Sequence, residues 1–173
     1  MKVELKRISL NERMSDETNC FVADLIINGK KVGSCQNDGH GGGTYYDGDG
    51  KESNRIIGEC EDYYKTLPKI KVEGNLIFPD GFEMDQTLEN TIDELLEEFL
   101  KEKEEKKKLK LMEKSIMFGI PNGNSYRTIT WTKKLLSEVP RLQLQQTLNE
   151  TRKKYCKDGV VILNTNLEKL GVV

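Results

Sequence analysis

At 173 residues, 36% hydrophobic and 32% charged, the chain holds enough apolar content for one ordinary core and too much for a disordered segment. No run approaches the ~20 apolar residues of a membrane-spanning helix. The opening MKVELKRISL interleaves charges where a secretory signal carries an unbroken apolar run, so no membrane partner and a cytoplasmic setting are expected. The net charge of −2 is unevenly spread: residues 114–173 hold ten Lys/Arg and four Asp/Glu, a net of +6, against −8 over residues 1–113. Such a split suggests two different electrostatic faces. Cys20, Cys35, Cys60 and Cys156 form no C-x-x-C pair and read as reduced, mostly buried thiols.

The residues predict an α+β protein, a single domain over 1–173. Val3 and Leu5 alternate with Lys2, Glu4 and Lys6, a strand period over 2–9, and a polar loop follows over 10–19. Residues 20–36 then read as an antiparallel hairpin. Phe21, Ala23, Leu25 and Ile27 alternate with Val22, Asp24 and Ile26, and Asn28-Gly29 supplies the two positive-φ positions of a tight turn. With those two residues at the turn centre, 27 faces 30 and 22 faces 35. The Phe21 face, with Val32, then meets the core, and Cys20 and Cys35 share the opposite face.

Residues 37–50, NDGHGGGTYYDGDG, hold six glycines in fourteen positions and are expected to be a loop throughout. A helix over about 51–66 follows, capped by Asp49 with Glu52 closing a capping box, its stripe Ile56, Cys60, Tyr63, Tyr64 and Leu67 ending at Pro68. Residues 69–86 are mixed, with Leu76–Phe78 as a short strand. A long helix over about 91–113 is expected to start at the Thr91–Glu94 capping box, with Ile92, Leu95, Leu96, Phe99 and Leu100 on one face and a charged end projecting into solvent. That stripe spans little more than one heptad. A sustained coiled coil takes three or four, so it reads as core, and the oligomeric state stays open. A second hairpin over 115–131, largely helical residues over 132–157 broken at Pro140, and a short strand over Val160–Leu163 complete the chain.

The glycine-rich loop is the first candidate site. It lies between a strand and a helix start, where chains present backbone N–H groups to anions. The known patterns do not fit. Asp49 stands where a phosphate-binding loop needs Lys, and Thr44 or Ser53 where a dinucleotide fingerprint needs its third Gly. Glu52 and Gly58 stand where a calcium loop needs Gly and Glu. Zinc held by Cys20, Cys35 and His40, with Cys60 or an aspartate, matches no zinc spacing. No metal and no cofactor are therefore expected. Asn37, Asp38, His40, Tyr45, Tyr46, Asp47 and Asp49 remain as candidate contacts for a ligand or partner. His40, the single histidine, has no nucleophile marked beside it, so a non-enzymatic role is favoured over an enzyme using this loop. The second candidate site is the basic C-terminal part. Arg127, Lys133, Lys134, Arg152, Lys153 and Lys154 supply cations, with Arg141 and Lys157 nearby, and Tyr126 and Trp131 can stack on bases.

The stretch FVADLIINGKKVGSCQNDGHGG, Phe21 to Gly42, resembles a group of small phage, prophage and mobile-element proteins. The resemblance rests on the polar lead-in Glu17 to Phe21 and the Asn-Asp-Gly-His-Gly-Gly run Asn37 to Gly42. It continues less specifically through Tyr64 to Pro68 and the Leu-Leu-x-x-Phe-Leu helix, over about half the chain. It implies a bacterial or viral cytoplasmic setting and an accessory role, and brings no activity with it. Three functions follow in order of expectation: an accessory protein that binds a host protein or small signalling molecule through the hairpin and loop, a nucleic-acid-binding protein using residues 126–157, and a metal- or nucleotide-dependent enzyme using the loop.

Overall fold

A computed structural model describes residues 1–74, 79–123 and 125–172 and gives an α+β chain. It divides into two compact units, Met1–Leu100 and Lys101–Val173. No helix among the described residues is long and apolar enough to cross a membrane.

The first unit holds four antiparallel strands in chain order, β1 (Val3–Leu10), β2 (Phe21–Ile27), β3 (Lys30–Asn37) and β4 (Tyr45–Gly48). Asn28 and Gly29, with φ of 49° and 80°, turn β2 into β3 as a tight hairpin requires. Phe21, Ala23, Leu25 and Ile27 are at most 2% exposed and build the core face.

The hairpin register departs from the simple one. Leu25 pairs with Gly33 and Ile26 with Lys31, leaving Val32 as an extra residue in β3. Such a bulge moves every later residue to the other face. Val22 therefore faces Gln36 rather than residue 35, and Cys35 sits opposite Ala23. Cys35 turns into the core instead of the outer face, and Asn37 is buried with it. Burial pushes the Cys35 thiol up to about 12.

The expected 37–50 loop is also shorter than expected. Asn37 closes β3, and β4 pairs with it from Gln36–Tyr45 to Gly33–Gly48. The glycines cluster in 39–43, so Tyr45 and Tyr46, which favour strands, are left to extend the sheet.

Helix α1 (Lys51–Lys65) packs Ile57, Cys60 and Tyr64 on this sheet, with Ile56 and Leu67 partly buried and Tyr63 outside. Its N-cap is Gly50, with no side-chain cap bond, rather than Asp49. The Asp49 N–H is drawn to Val32 O at 3.0 Å, and Glu52 pairs with Arg55, so the expected capping box does not form.

A small hairpin, β5 (Ile70–Val72) with β6 (Phe82–Met84), follows, and the expected Leu76–Phe78 strand lies outside the described residues. Helix α2 (Leu88–Met112) starts about one turn before the expected site. Thr87 Oγ1 accepts Asn90 N–H at 3.0 Å, and the Thr91 hydroxyl donates to Thr87 O at 3.1 Å, which places Thr91 inside the first turn. Leu88, Ile92 and Leu96 complete the first core.

In the second unit the sheet order is β8 (Tyr126–Thr130), β7 (Ser115–Gly119), β9 (Val161–Ile162), all antiparallel. All five residues of β7 are buried, as befits a central strand. Helix α3 (Arg141–Tyr155) adds Leu144 and Leu148 to a core with Ile116, Leu136, Val139, Leu167 and Val172. The expected helix over 132–139 is only a 3-10 turn at Leu136–Glu138, because Pro140 keeps Val139 extended at ψ 132°. Asn164 ties the start of β7: its Oδ1 accepts Met117 N–H at 2.6 Å, and its Nδ2 donates to Ser115 O at 2.9 Å and Met112 O at 3.2 Å.

Candidate functional site

The glycine loop is held from within. Asn37 Oδ1 accepts the Thr18 hydroxyl at 2.7 Å and Gly39 N–H at 2.9 Å, and its Nδ2 donates to Gly42 O at 2.9 Å. Gly39 O accepts the N–H groups of Asp16, Glu17 and Thr18. Gly39 and Gly41 sit at φ 89° and 85°, and a Cβ would overlap Met14 O at the first and the Glu17 carboxylate at the second. At Gly39 only glycine fits both the dihedral and the backbone contact, whereas at Gly41 the positive φ alone favours glycine, since the Glu17 side chain can swing away. Asn37 is thus a buried pin of the loop. Asp38 and His40 stand exposed at the loop tip, where Asp38 Oδ1 accepts the His40 N–H at 3.1 Å.

The aromatic and acidic residues around the loop divide in the same way. Tyr46 donates its hydroxyl to Glu61 at 2.8 Å, and burial together with that carboxylate pushes its ionisation up. Tyr45 is 71% exposed, Asp47 is exposed with its Oδ1 accepting Gly48 N–H, and Asp49 lies 3.9 Å from Lys31 Nζ. Beside the loop, a cleft of about 270 Å³ is lined by Glu17, Thr18, Asn37, Thr44, Asp93 and Glu97, among others. Thr44 fixes its α2 wall, its N–H donating to Glu89 at 2.9 Å and its hydroxyl to Asp93 at 2.6 Å. Burial raises the Asp93 carboxyl; the Thr44 hydroxyl opposes this, and Glu89 and Glu97 add to it. Among the described residues no group of three or more His, Cys, Asp or Glu is placed to hold a metal. The bulge turns Cys35 inward, where its thiol donates to Ala23 O at 3.7 Å.

The second unit carries sixteen Lys/Arg and eight Asp/Glu, a net of +8. Its register sorts the candidate residues by face. Arg127 lies opposite Phe118, and Ile129 opposite Ile116. Directly opposed residues project to one side of a sheet, so Arg127 and Ile129 share the face on which Ile116 meets the core. Trp131, just beyond β8, packs on that same core with Ile129.

Two open clefts follow. One, of about 510 Å³, joins Tyr126 and Arg127 to Phe118, Ile120, Tyr155 and Val160. Phe118 and Tyr155 stack at 4.9 Å, and Lys154 Nζ stands 5.1 Å from the Tyr155 ring. The other, of about 660 Å³, joins Trp131, Lys133 and Lys134 to Lys114, Leu135 and Glu138. Lys133 takes a left-handed φ of 58°, and Lys134 N–H donates to Trp131 O at 3.3 Å, a turn that folds both lysines back beside the indole. Arg152 and Lys153 are exposed in the last turn of α3, next to Lys154. Sequence reasoning missed Lys114, Phe118 and Tyr155. The available signal for Tyr155 was its place four residues after Thr151 on the buried stripe of α3. No protein-family model matches the chain, and no curated protein or solved structure matches it.

Proposed function

We propose that the chain binds single-stranded nucleic acid through its second unit. The observation that carries this reading is the meeting of Trp131 with Lys114, Lys133 and Lys134 in one cleft. An indole face stacks on any unpaired base, and ammonium groups beside it neutralise the phosphates flanking that base. The net charge of +8 on this unit supplies the wider attraction. A base must leave its own stack to reach an indole seated in a cleft, which favours single strands over duplex.

Trp131 is the only tryptophan, so its emission reports the site directly. Titration with a short oligothymidylate at about 50 mM salt is expected to quench it, with affinity falling steeply by about 200 mM. Unchanged emission together with no retention on single-stranded DNA or RNA at the lower salt removes the reading. Equal affinity for a duplex of the same length removes its single-strand part.

A second reading is supported by the exposure of Tyr45, at 71%, and of Asp38, His40 and Asp47. In it the chain is a phage or mobile-element accessory protein, and this rim contacts a host protein or small signalling molecule. Capture of a defined partner that Tyr45→Ala abolishes supports it, and capture untouched by Tyr45→Ala and His40→Ala sinks it.

A further inference from the structure

In an antiparallel ladder each residue turns its N–H and C=O to the same side, and successive residues alternate sides. Met117, at the centre of β7, turns both groups away from β8: its N–H donates to Asn164 Oδ1 at 2.6 Å, and its carbonyl accepts Leu163 N–H, just past β9, at 2.8 Å. Ser115, two residues earlier, gives its carbonyl to Asn164 Nδ2 at 2.9 Å. Ile116 and Phe118 therefore supply the bonds to β8, and their partners Ile129 and Arg127 take them up. Tyr126, Thr128 and Thr130 are left with N–H and C=O directed to the outer edge of the sheet. Among the described residues β8 pairs with β7 alone, and Arg127, Thr128 and Thr130 are exposed. The other edges are blunted. β1 carries Glu4, Lys6 and Arg7 and a register shift between Lys6 and Ser9, β4 has four residues, β5 and β6 three each, and β9 two. β8 runs five residues in unbroken register, with no proline or lysine, and its tyrosine, threonines and isoleucine all suit a strand.

We propose that the outer edge of β8 takes up an extended acidic segment of a partner protein as an added antiparallel strand. Outward N–H groups alternate with outward carbonyls along this edge. A peptide main chain matches both, whereas a phosphodiester backbone offers acceptors alone. Charge complementarity makes the segment acidic: β8 holds Arg127 and no carboxylate, Lys133 and Lys134 follow it, and the unit carries a net of +8. In this pairing Arg127 and Ile129 become the non-hydrogen-bonded positions, where opposed side chains stand closest. The segment therefore carries a carboxylate opposite Arg127 and an apolar residue opposite Ile129, two positions earlier in its own sequence. The inference does not rest on the nucleic-acid reading, because it uses the main chain of β8 and not the Trp131 indole.

The test uses a fluorescein-labelled peptide, Asp-Glu-Thr-Val-Thr-Glu-Thr-amide, titrated with the full chain and followed by anisotropy. Its threonine between Val and Glu lies opposite Thr128 and exchanges two hydrogen bonds with it, while its valine N–H points away. N-methylation of that threonine is expected to weaken binding at least about tenfold, and N-methylation of the valine less than about twofold. Lysine in place of the glutamate facing Arg127 is expected to weaken it several-fold, and Arg127→Glu to reverse that preference. Amide exchange gives a second readout: Arg127 and Ile129 are slow in the free chain, and Thr128 becomes slow only when the peptide is bound. No binding at about 1 mM peptide, equal effects of the two N-methylations, or indifference to the lysine overturns the proposal. Protection of Thr128 that grows with protein concentration alone puts a second copy of this chain on the edge and overturns the partner segment.

Discussion

Asn37→Ala separates a loop that is built from a loop that binds. The native side chain makes three hydrogen bonds, to Thr18 Oγ1, Gly39 N–H and Gly42 O, all between 2.7 and 2.9 Å, from a position only 7% exposed. At ~0.5–1.5 kcal/mol for each net bond, with the buried Gly39 N–H left unsatisfied, the loss comes to about 3 kcal/mol. Urea unfolding followed by far-UV circular dichroism measures it, and amide exchange at residues 39–43 localises it. Asn37→Asp is the sharper control. Its carboxylate still accepts from Thr18 and Gly39, but it has no proton for Gly42 O and sets a buried charge against that carbonyl. Burial raises such a carboxyl, so this variant is expected to lose stability as pH climbs through the carboxylate range and to recover it below. A cost under about 1 kcal/mol for Asn37→Ala, or no faster exchange over 39–43, refutes the pinning argument. It would return Asn37 to the surface role that its place in the motif suggests.

Asp93→Asn keeps the acceptor for the Thr44 hydroxyl while removing a charge four residues from both Glu89 and Glu97. The native fold holds the Asp93 proton more tightly than the unfolded chain does, so stability falls as pH rises from the ordinary carboxyl value through the raised one. Asp93→Asn is therefore expected to stabilise the protein at neutral pH by about 0.5–1 kcal/mol, from two relieved like-charge pairs, with the gain vanishing in acid; an equal gain at both pH values refutes it. Thr87→Ala is expected to cost about 1 kcal/mol, because it removes the cap of α2, whereas Asp49→Ala, at a residue that caps nothing, stays within about 0.5 kcal/mol. Thermal melts of the two variants side by side decide the matter, and the reverse order sinks the cap assignment.

What was legible in the sequence is what short-range physics dictates. Asn28-Gly29 between two alternating runs yields the β2–β3 hairpin, and the alternation of Phe21, Ala23, Leu25 and Ile27 yields its core face. The bulge at Val32 was not read, although Gly33 inside a strand is the mark of one. That single extra residue put Cys35 on the wrong face, while Asn37, read as the first loop residue, closes β3. The start of α2 was misread because two threonines compete. The local capping box favours Thr91, but burying Leu88 to 1% exposure extends the helix to Thr87. In the second unit the cations and Trp131 were legible as residue types. Tyr155, Phe118 and Lys114 were not, because only the packing of α3 and β7 brings them to β8.

The run Asn37–Gly42 can be divided by what the fold already uses. Asn37 is spent on three hydrogen bonds, Gly39 on its contact with Met14, and Gly41 on its contact with Glu17. Gly42 offers its carbonyl to Asn37, and Asp38 accepts the His40 N–H. His40 is the one residue of the six whose side chain makes no hydrogen bond among the described contacts. A resemblance read from this run therefore speaks to the turn before it speaks to any chemistry. If the run does carry a binding role, that role falls on His40 and on the exposed Tyr45 that follows. His40→Ala tests it without touching the pin, because the bonds that hold the loop use only the backbone of His40 and the groups of other residues.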